Sequence, residues 1–156
     1  MNKCYQLIGV PGSGKSTWIK NQEWTENMPI VSTDKFVEDY AIEQEKTYSD
    51  VFEEYMPIAV RLMTNHALTC QANYLDFVWD QTSTTVASRK RKFNTLLDSQ
   101  YEHIAIVFKT PDEEELKRRL ASRPGKIIPW PVIQGMIDNF ETPTEEEGFK
   151  EIWYAT

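Results

Sequence analysis

Gly9-Val10-Pro11-Gly12-Ser13-Gly14-Lys15-Ser16-Thr17 is the segment around which the rest of the chain organises. It fits G-x-x-x-x-G-K-[S/T], a phosphate-binding loop. An apolar run at residues 5–9 precedes it and a helix is predicted over residues 15–22, so the loop sits at a strand-to-helix turn. Gly12, Ser13 and Gly14 let the backbone wrap with its N–H groups inward, around a β-phosphate, and the helix start adds positive potential. Lys15 can reach the β- and γ-phosphate oxygens, Ser16 can place its hydroxyl on Mg²⁺, and Thr17 continues the cradle. This is the sequence of a nucleoside triphosphate site, with ATP and Mg²⁺ as the expected cofactors.

Outward from the loop, short apolar runs alternate with helical stretches. Strands are predicted at residues 29–32, 75–79, 103–109 and 152–154. Helices are predicted at residues 49–72, kinked at Pro57, and at 86–98, with Ser83 and Thr84 as cap candidates. Another is predicted from Thr110 as cap to about residue 122, with Pro111 first and Glu113 closing a capping box, and a last one over residues 131–140. Strands alternating with helices imply a parallel sheet covered on both faces. The expected fold class is α/β: a three-layer P-loop NTPase fold with an arginine-bearing lid, read as a single domain over residues 1–156.

The 156 residues carry 17 Lys plus Arg against 24 Asp plus Glu, a net charge of −7, and suit one core rather than a multi-domain motor. No apolar run approaches the ~18 residues of a membrane helix, and the first residues lack a signal peptide's apolar stretch. Cys4 and Cys70 make no disulfide framework and read as core thiols. A reduced, cytoplasmic protein is the expectation. The charge is uneven: residues 86–126 hold ten basic residues against six acids, residues 34–62 eight acids against three bases. A polyanion could meet that basic stretch, although Arg89-Lys90-Arg91-Lys92 alone equally suits a solvated helix face, as does the acidic run Glu145-Glu146-Glu147.

Small GTPases carry Asn-Lys-x-Asp and Asp-x-x-Gly strings, and neither occurs. A kinase needs a carboxylate to receive the acceptor's proton and cations over the transferring phosphoryl group. Asp34 follows the second strand in Ser32-Thr33-Asp34, at the carboxyl edge where ligands of open parallel sheets bind. A carboxylate there can act as base, and Asp is equally a helix cap, so both readings stand. Asp80 ends the third strand in Phe77-Val78-Trp79-Asp80, the pattern that holds Mg²⁺ or its waters. Arg119 and Arg123 fall at i and i+4 on one helix face before Pro124-Gly125-Lys126 breaks it, as a mobile lid over a triphosphate would require; pairing with Glu113 to Glu115 is the competing reading. Among five tryptophans, Trp130 beside this lid is the best placed to touch a nucleobase.

The phosphate loop through Trp18, Ser32-Thr33-Asp34, Trp79-Asp80-Gln81-Thr82 and residues 119–129 occur in the order and spacing of the kinase domain of bacteriophage polynucleotide kinases, which nearly the whole chain resembles. It also resembles the wider set of zeta-toxin-like small P-loop kinases. The resemblance implies Asp34 as the base activating a 5′-hydroxyl, Arg123 as lid arginine against the β- and γ-phosphates, Arg119 as a neighbouring basic position, and Asp80 as the aspartate after the third strand. It implies a nucleic acid acceptor with a free 5′-hydroxyl. The family carries an arginine three residues after the base that helps hold the acceptor's phosphate; here that position is Val37, with Lys35 nearer. No Asp-x-Asp-x-Thr string of a phosphatase partner domain occurs. Two other functions remain open: a kinase for a nucleotide, a modified DNA base or a small metabolite, and an ATP-gated binding protein that transfers nothing.

Overall fold

Side chains alternate along a strand, and in the computed structural model, which describes residues 1–155, this alternation divides the strand before the loop between two cores. Strand β1 spans Asn2–Ile8, β2 Ile30–Val31, β3 Phe77–Asp80, β4 Tyr101–Val107 and β5 Phe149–Tyr154. Helices are α1 Lys15–Lys20, α2 Asp34–Glu43, α3 Tyr48–Ala72, α4 Val86–Thr95, α5 Glu113–Ala121 and α6 Trp130–Asp138. Cys4 on β1 packs with Phe77 and Trp79 against Met63, Ala67 and Cys70 of α3. Ile8 shares that face with Ala105 and Phe149, against Phe93 of α4. Tyr5 and Leu7 point the other way, with Val78, Ile104 and Ile106, onto Trp18 and Ile19 of α1. Helices therefore cover both faces, giving the three expected layers.

All four strand pairings are parallel, in the order β2-β3-β1-β4-β5. The chain leaves β1 toward β2 at one edge, and leaves β3 in the opposite direction, across β1, toward β4. Adjacent strands whose connections diverge open a crevice at their carboxyl ends. The register sets Leu7 opposite Asp80, so the phosphate loop and Asp80 emerge side by side at this crevice, and the Gly9 N–H donates to the Thr82 carbonyl at 2.9 Å.

Several boundaries differ from expectation for local reasons. Helix α3 matches the expected stretch to within one residue and contains Pro57. Thr85, not Ser83 or Thr84, caps α4 through a capping box with Ser88. Asp112, not Thr110, caps α5, accepting from the Glu115 N–H at 3.0 Å, so α5 starts later than Pro111 suggests. Cys4 and Cys70 are free and buried, and burial pushes the Cys4 thiol far up, which suppresses its thiolate. Among the described residues no helix is long and apolar enough to cross a membrane.

Candidate functional site

The loop after β1 wraps because Gly12 and Gly14 take left-handed φ angles of 83° and 101°. A Cβ on Gly12 would stand 2.9 Å from Leu116 Cδ1 of α5, so the loop needs glycine there for space as well as for φ. Lys15 Nζ folds back onto the carbonyls of Gly9 and Val10, at 2.7 and 3.0 Å. Burial lowers the Lys15 pKa to about 8, while Asp80 and Asp34 oppose the shift. The Ser13 hydroxyl is buried without a hydrogen-bond partner among the described residues.

Asp80 is raised from 3.8 to about 6, by burial first; Lys15 works against the shift and Asp34 adds to it. A desolvated carboxylate beside a lysine favours a further cation. Ser16 and Asp80 line one cleft and are hard oxygen donors, the kind Mg²⁺ takes when most of its shell is phosphate and water. These residues fit the metal that the loop implies.

Asp34 does not cap α2. It is the helix's first residue, with its own N–H donating to Ser32 Oγ at 3.0 Å. Its carboxylate is occupied elsewhere: Tyr48 O–H donates to Oδ1 at 2.7 Å, and Lys126 Nζ lies 4.0 Å from Oδ2. Lys126 is paired with Glu38 and sits 4.6 Å from the centre of the Tyr48 ring. Val37 is fully buried against Ala41, Val51 and Ala59, so this side of α2 faces α3 and offers nothing to the cleft.

Arg119 and Arg123 do not share a helix face, because α5 ends at Ala121 and Arg123 follows in the turn. Arg119 divides its guanidinium between Glu115, at 2.8 Å, and the Gly12 carbonyl, at 3.1 Å, which ties α5 to the loop. Arg118 also binds Glu115, and the two arginines hold that carboxyl down at about 2. The pairing reading thus describes Arg118 and Arg119. Arg123 has no acidic partner among the described residues, and its Nε is buried without an acceptor.

One cleft of 1810 Å³ is lined by Gly12, Ser13, Gly14, Lys15, Ser16 and Thr17, and also by Asp34, Asp80, Arg119 and Arg123. The expected base, the phosphate-loop residues, the two lid arginines and the expected metal ligands all border it. Tyr48, Glu38 and Lys126 were missed: Lys126 read only as part of a helix-breaking turn, and Tyr48 as the residue before a helix. Two expectations fail. Trp130 packs with Val10, Leu116 and Ile133 and carries Lys117 Nζ over its ring at 4.6 Å, away from the cleft lining. Half of the basic run is interior: Arg89 is fully buried, bonded to Glu147 at 2.8 and 3.1 Å and to the Ser83 carbonyl, while Lys92 lies 5.6 Å from the centre of the Trp79 ring. Glu147 is accordingly no solvated residue.

A family model described as an AAA domain matches residues 6–143. Among solved structures, the chain is similar to a chain of the Pnkp1/Rnl/Hen1 RNA repair complex, with TM-score 0.70 and 25% identity over 88% of this chain and 43% of that one. It therefore spans less than half the length of that repair protein. A sugar kinase from Janibacter sp. HTCC2649 superposes with TM-score 0.62 and 16% identity, covering 99% of this chain and 86% of that one. Kti12 from Chaetomium thermophilum, in complex with ADP-AlF3, gives 0.62 and 13%, covering 98% and 88%. The last two likenesses concern the fold, which is that of the small P-loop kinases.

Proposed function

The chain belongs to the AAA domain family, and on that premise we propose that it is an ATP- and Mg²⁺-dependent kinase acting on a nucleic acid hydroxyl, foremost the 5′-hydroxyl end of DNA or RNA. The observation that carries this reading is Asp34, a carboxylate in the phosphate-loop cleft whose Oδ1 already accepts a hydroxyl proton donor at 2.7 Å. An acceptor hydroxyl replacing that of Tyr48 meets the same oxygen. Asp34 takes its proton as the acceptor oxygen bonds to the γ-phosphorus; the bond from that phosphorus to the β–γ bridging oxygen breaks, and ADP leaves. Lys15 and Arg123 balance the charge on the transferring group, Arg123 with a guanidinium that no acid among the described residues claims. Gly12, Ser13, Gly14 and Thr17 cradle the phosphates, and Arg119 keeps α5 against the loop. Ser16 and Asp80 would hold Mg²⁺, which neutralises phosphate charge when bound.

Nucleic acid as the acceptor draws support from the 25% identity to a chain of an RNA repair complex. A small-molecule acceptor is the second reading, favoured by the net charge of −7 and by the burial of Arg89 and Lys92, which leaves less basic surface than the composition suggests. Transfer of γ-labelled phosphate from ATP tests both. The panel holds 5′-hydroxyl oligonucleotides, nucleosides, nucleoside monophosphates, hydroxymethylated DNA and sugars, with Lys15→Ala as the blank. Label on oligonucleotide ends, lost in Asp34→Asn while ATP still binds, is the expected result. Label confined to other acceptors overturns the nucleic acid assignment; undiminished transfer by Asp34→Asn overturns the role of the base.

A further inference from the structure

Beside Asp34 lies a cation that the chemistry above leaves unused. Lys126 Nζ is 4.0 Å from Asp34 Oδ2, yet its close partner is the Glu38 carboxylate, and its charge rests on the Tyr48 ring. The backbone on either side of it is pinned. Ser49 N–H donates to the Gly125 carbonyl at 3.0 Å, and Ile127 N–H donates to Ser49 Oγ at 2.7 Å. A lysine on a fixed backbone still swings its ammonium through several ångströms, because it is a point charge on a four-carbon stem. The side chain is 21% exposed, and Lys126 lines the cleft.

Resting on the kinase reading, we propose that Lys126 is a specificity residue that takes the acceptor nucleotide's own phosphate, on the 3′ side of the reacting hydroxyl, and that Glu38 holds its place until that phosphate arrives. The chemistry is an exchange of anions. The Glu38 carboxylate is 45% exposed and is readily solvated when its partner leaves, since exposed ion pairs contribute little. A phosphate brought in beside Asp34 needs a countercharge, or its repulsion with the base opposes docking. Helix α2 supplies none: Val37 is turned into the core, and Lys35 is paired with Asp39 on the exposed side and does not line the cleft. The exchange also frees the cleft around Tyr48, whose hydroxyl must leave Asp34 Oδ1 for the acceptor to enter. Glu38 thereby disfavours the bound phosphate, while Lys126 favours it.

Opposite roles give opposite signs, and a plain structural latch does not. The experiment compares kcat/KM for thymidine, thymidine 3′-monophosphate and a 5′-hydroxyl oligothymidylate in wild type, Lys126→Met and Glu38→Gln, with salt titrations. In Lys126→Met the preference for 3′-phosphorylated acceptors over thymidine falls about tenfold, the size expected for one charge-assisted contact. The oligothymidylate's log–log salt slope drops by about 0.7, the loss of one phosphate contact on a single strand. In Glu38→Gln the same preference rises. If both variants shift it in the same direction, or neither shifts it, the kinase reading stands and this proposal falls. If wild type transfers phosphate to none of the three acceptors, the nucleic acid reading falls and the proposal with it.

Discussion

Replacing Asp80 by Asn should stabilise the ligand-free protein while abolishing its response to Mg²⁺ and ATP. Burial raises this carboxyl from 3.8 to about 6, so the folded state carries its negative charge at a disadvantage. A tenfold change in proton affinity is worth about 1.4 kcal/mol, so at neutral pH the ionised group withholds about 3 kcal/mol. That figure is already net of the attraction to Lys15, whose ammonium Asp80 supports against the burial that lowers it to about 8. The gain for Asp80→Asn is therefore about 2–3 kcal/mol at pH 7.5, or about 5–10 °C in Tm for a chain of this size. A raised pKa means that the group's contribution is fully present below 3.8 and is lost as pH rises through 6. Urea denaturation from pH 4 to 8 should therefore show wild type and variant converging at the acid end, separating between pH 4 and 6, and staying a constant distance apart above that. Adding ligand at a hundredfold excess over Kd should stabilise wild type by about 2.7 kcal/mol and the variant by far less. A variant less stable than wild type at pH 7.5, a difference independent of pH, or an unchanged response to Mg²⁺ and ATP would each refute the reasoning.

Three further outcomes follow from single features. His103 is buried with Nδ1 against Gln6 Nε2 at 3.0 Å, and burial lowers its pKa to about 4. A lowered pKa gives stability that is present above the unfolded value near 6.5 and lost as pH falls toward 4, by about 2–3 kcal/mol; NMR titration of the imidazole resonances checks it, and protonation at an ordinary pH near 6.5 would contradict it. Glu147→Ala strands Arg89 in the core and should cost about 3–5 kcal/mol, whereas Arg89→Met with Glu147→Leu should cost much less, as a denaturation double-mutant cycle would show. Gly12→Ala puts a Cβ 2.9 Å from Leu116 at a φ of 83° and should cost about 1–3 kcal/mol, with ATP binding by calorimetry lost as the loop shifts.

The opposite signs of Asp80 and His103 between pH 4 and 6.5 show what each group is for. Wild-type stability across that window is a difference of two terms, so a flat profile would conceal both, and only the Asp80→Asn series separates them. His103 is neutral because it is packed against Phe93 and hydrogen-bonded in the core, where charging it has no use. Asp80 is charged at neutral pH in spite of its burial, next to a lysine and at a crevice that strand order opens, where an unfavourable charge attracts a cation. The first is a cost avoided, the second a cost retained, and retained strain of that kind marks a binding site.

The parts of this site that could be read from the sequence are those whose geometry is made by contiguous residues. Nine residues define the phosphate loop, and an aspartate that ends a strand, as Asp80 does, or follows one closely, as Asp34 does, lies at the carboxyl edge wherever the strand stops. Arg123 could be assigned to the cleft for the same reason, although the helix ends before it. What stayed hidden depends on partners far along the chain. Arg89 and Glu147 are 58 positions apart and each reads alone as surface, because charge in a sequence is taken as solvated until its partner is known. Trp130 read as a base platform because proximity to the lid was visible and its packing against Val10 was not. Lys126 and Glu38, 88 positions apart, read as a turn and a helix face. Their meeting beside Asp34 is decided by the turn after α5 reaching Ser49 at the start of α3, a contact no local pattern encodes. Acceptor specificity is therefore the least legible property of the chain, and the opposed variants at Lys126 and Glu38 are where it becomes measurable.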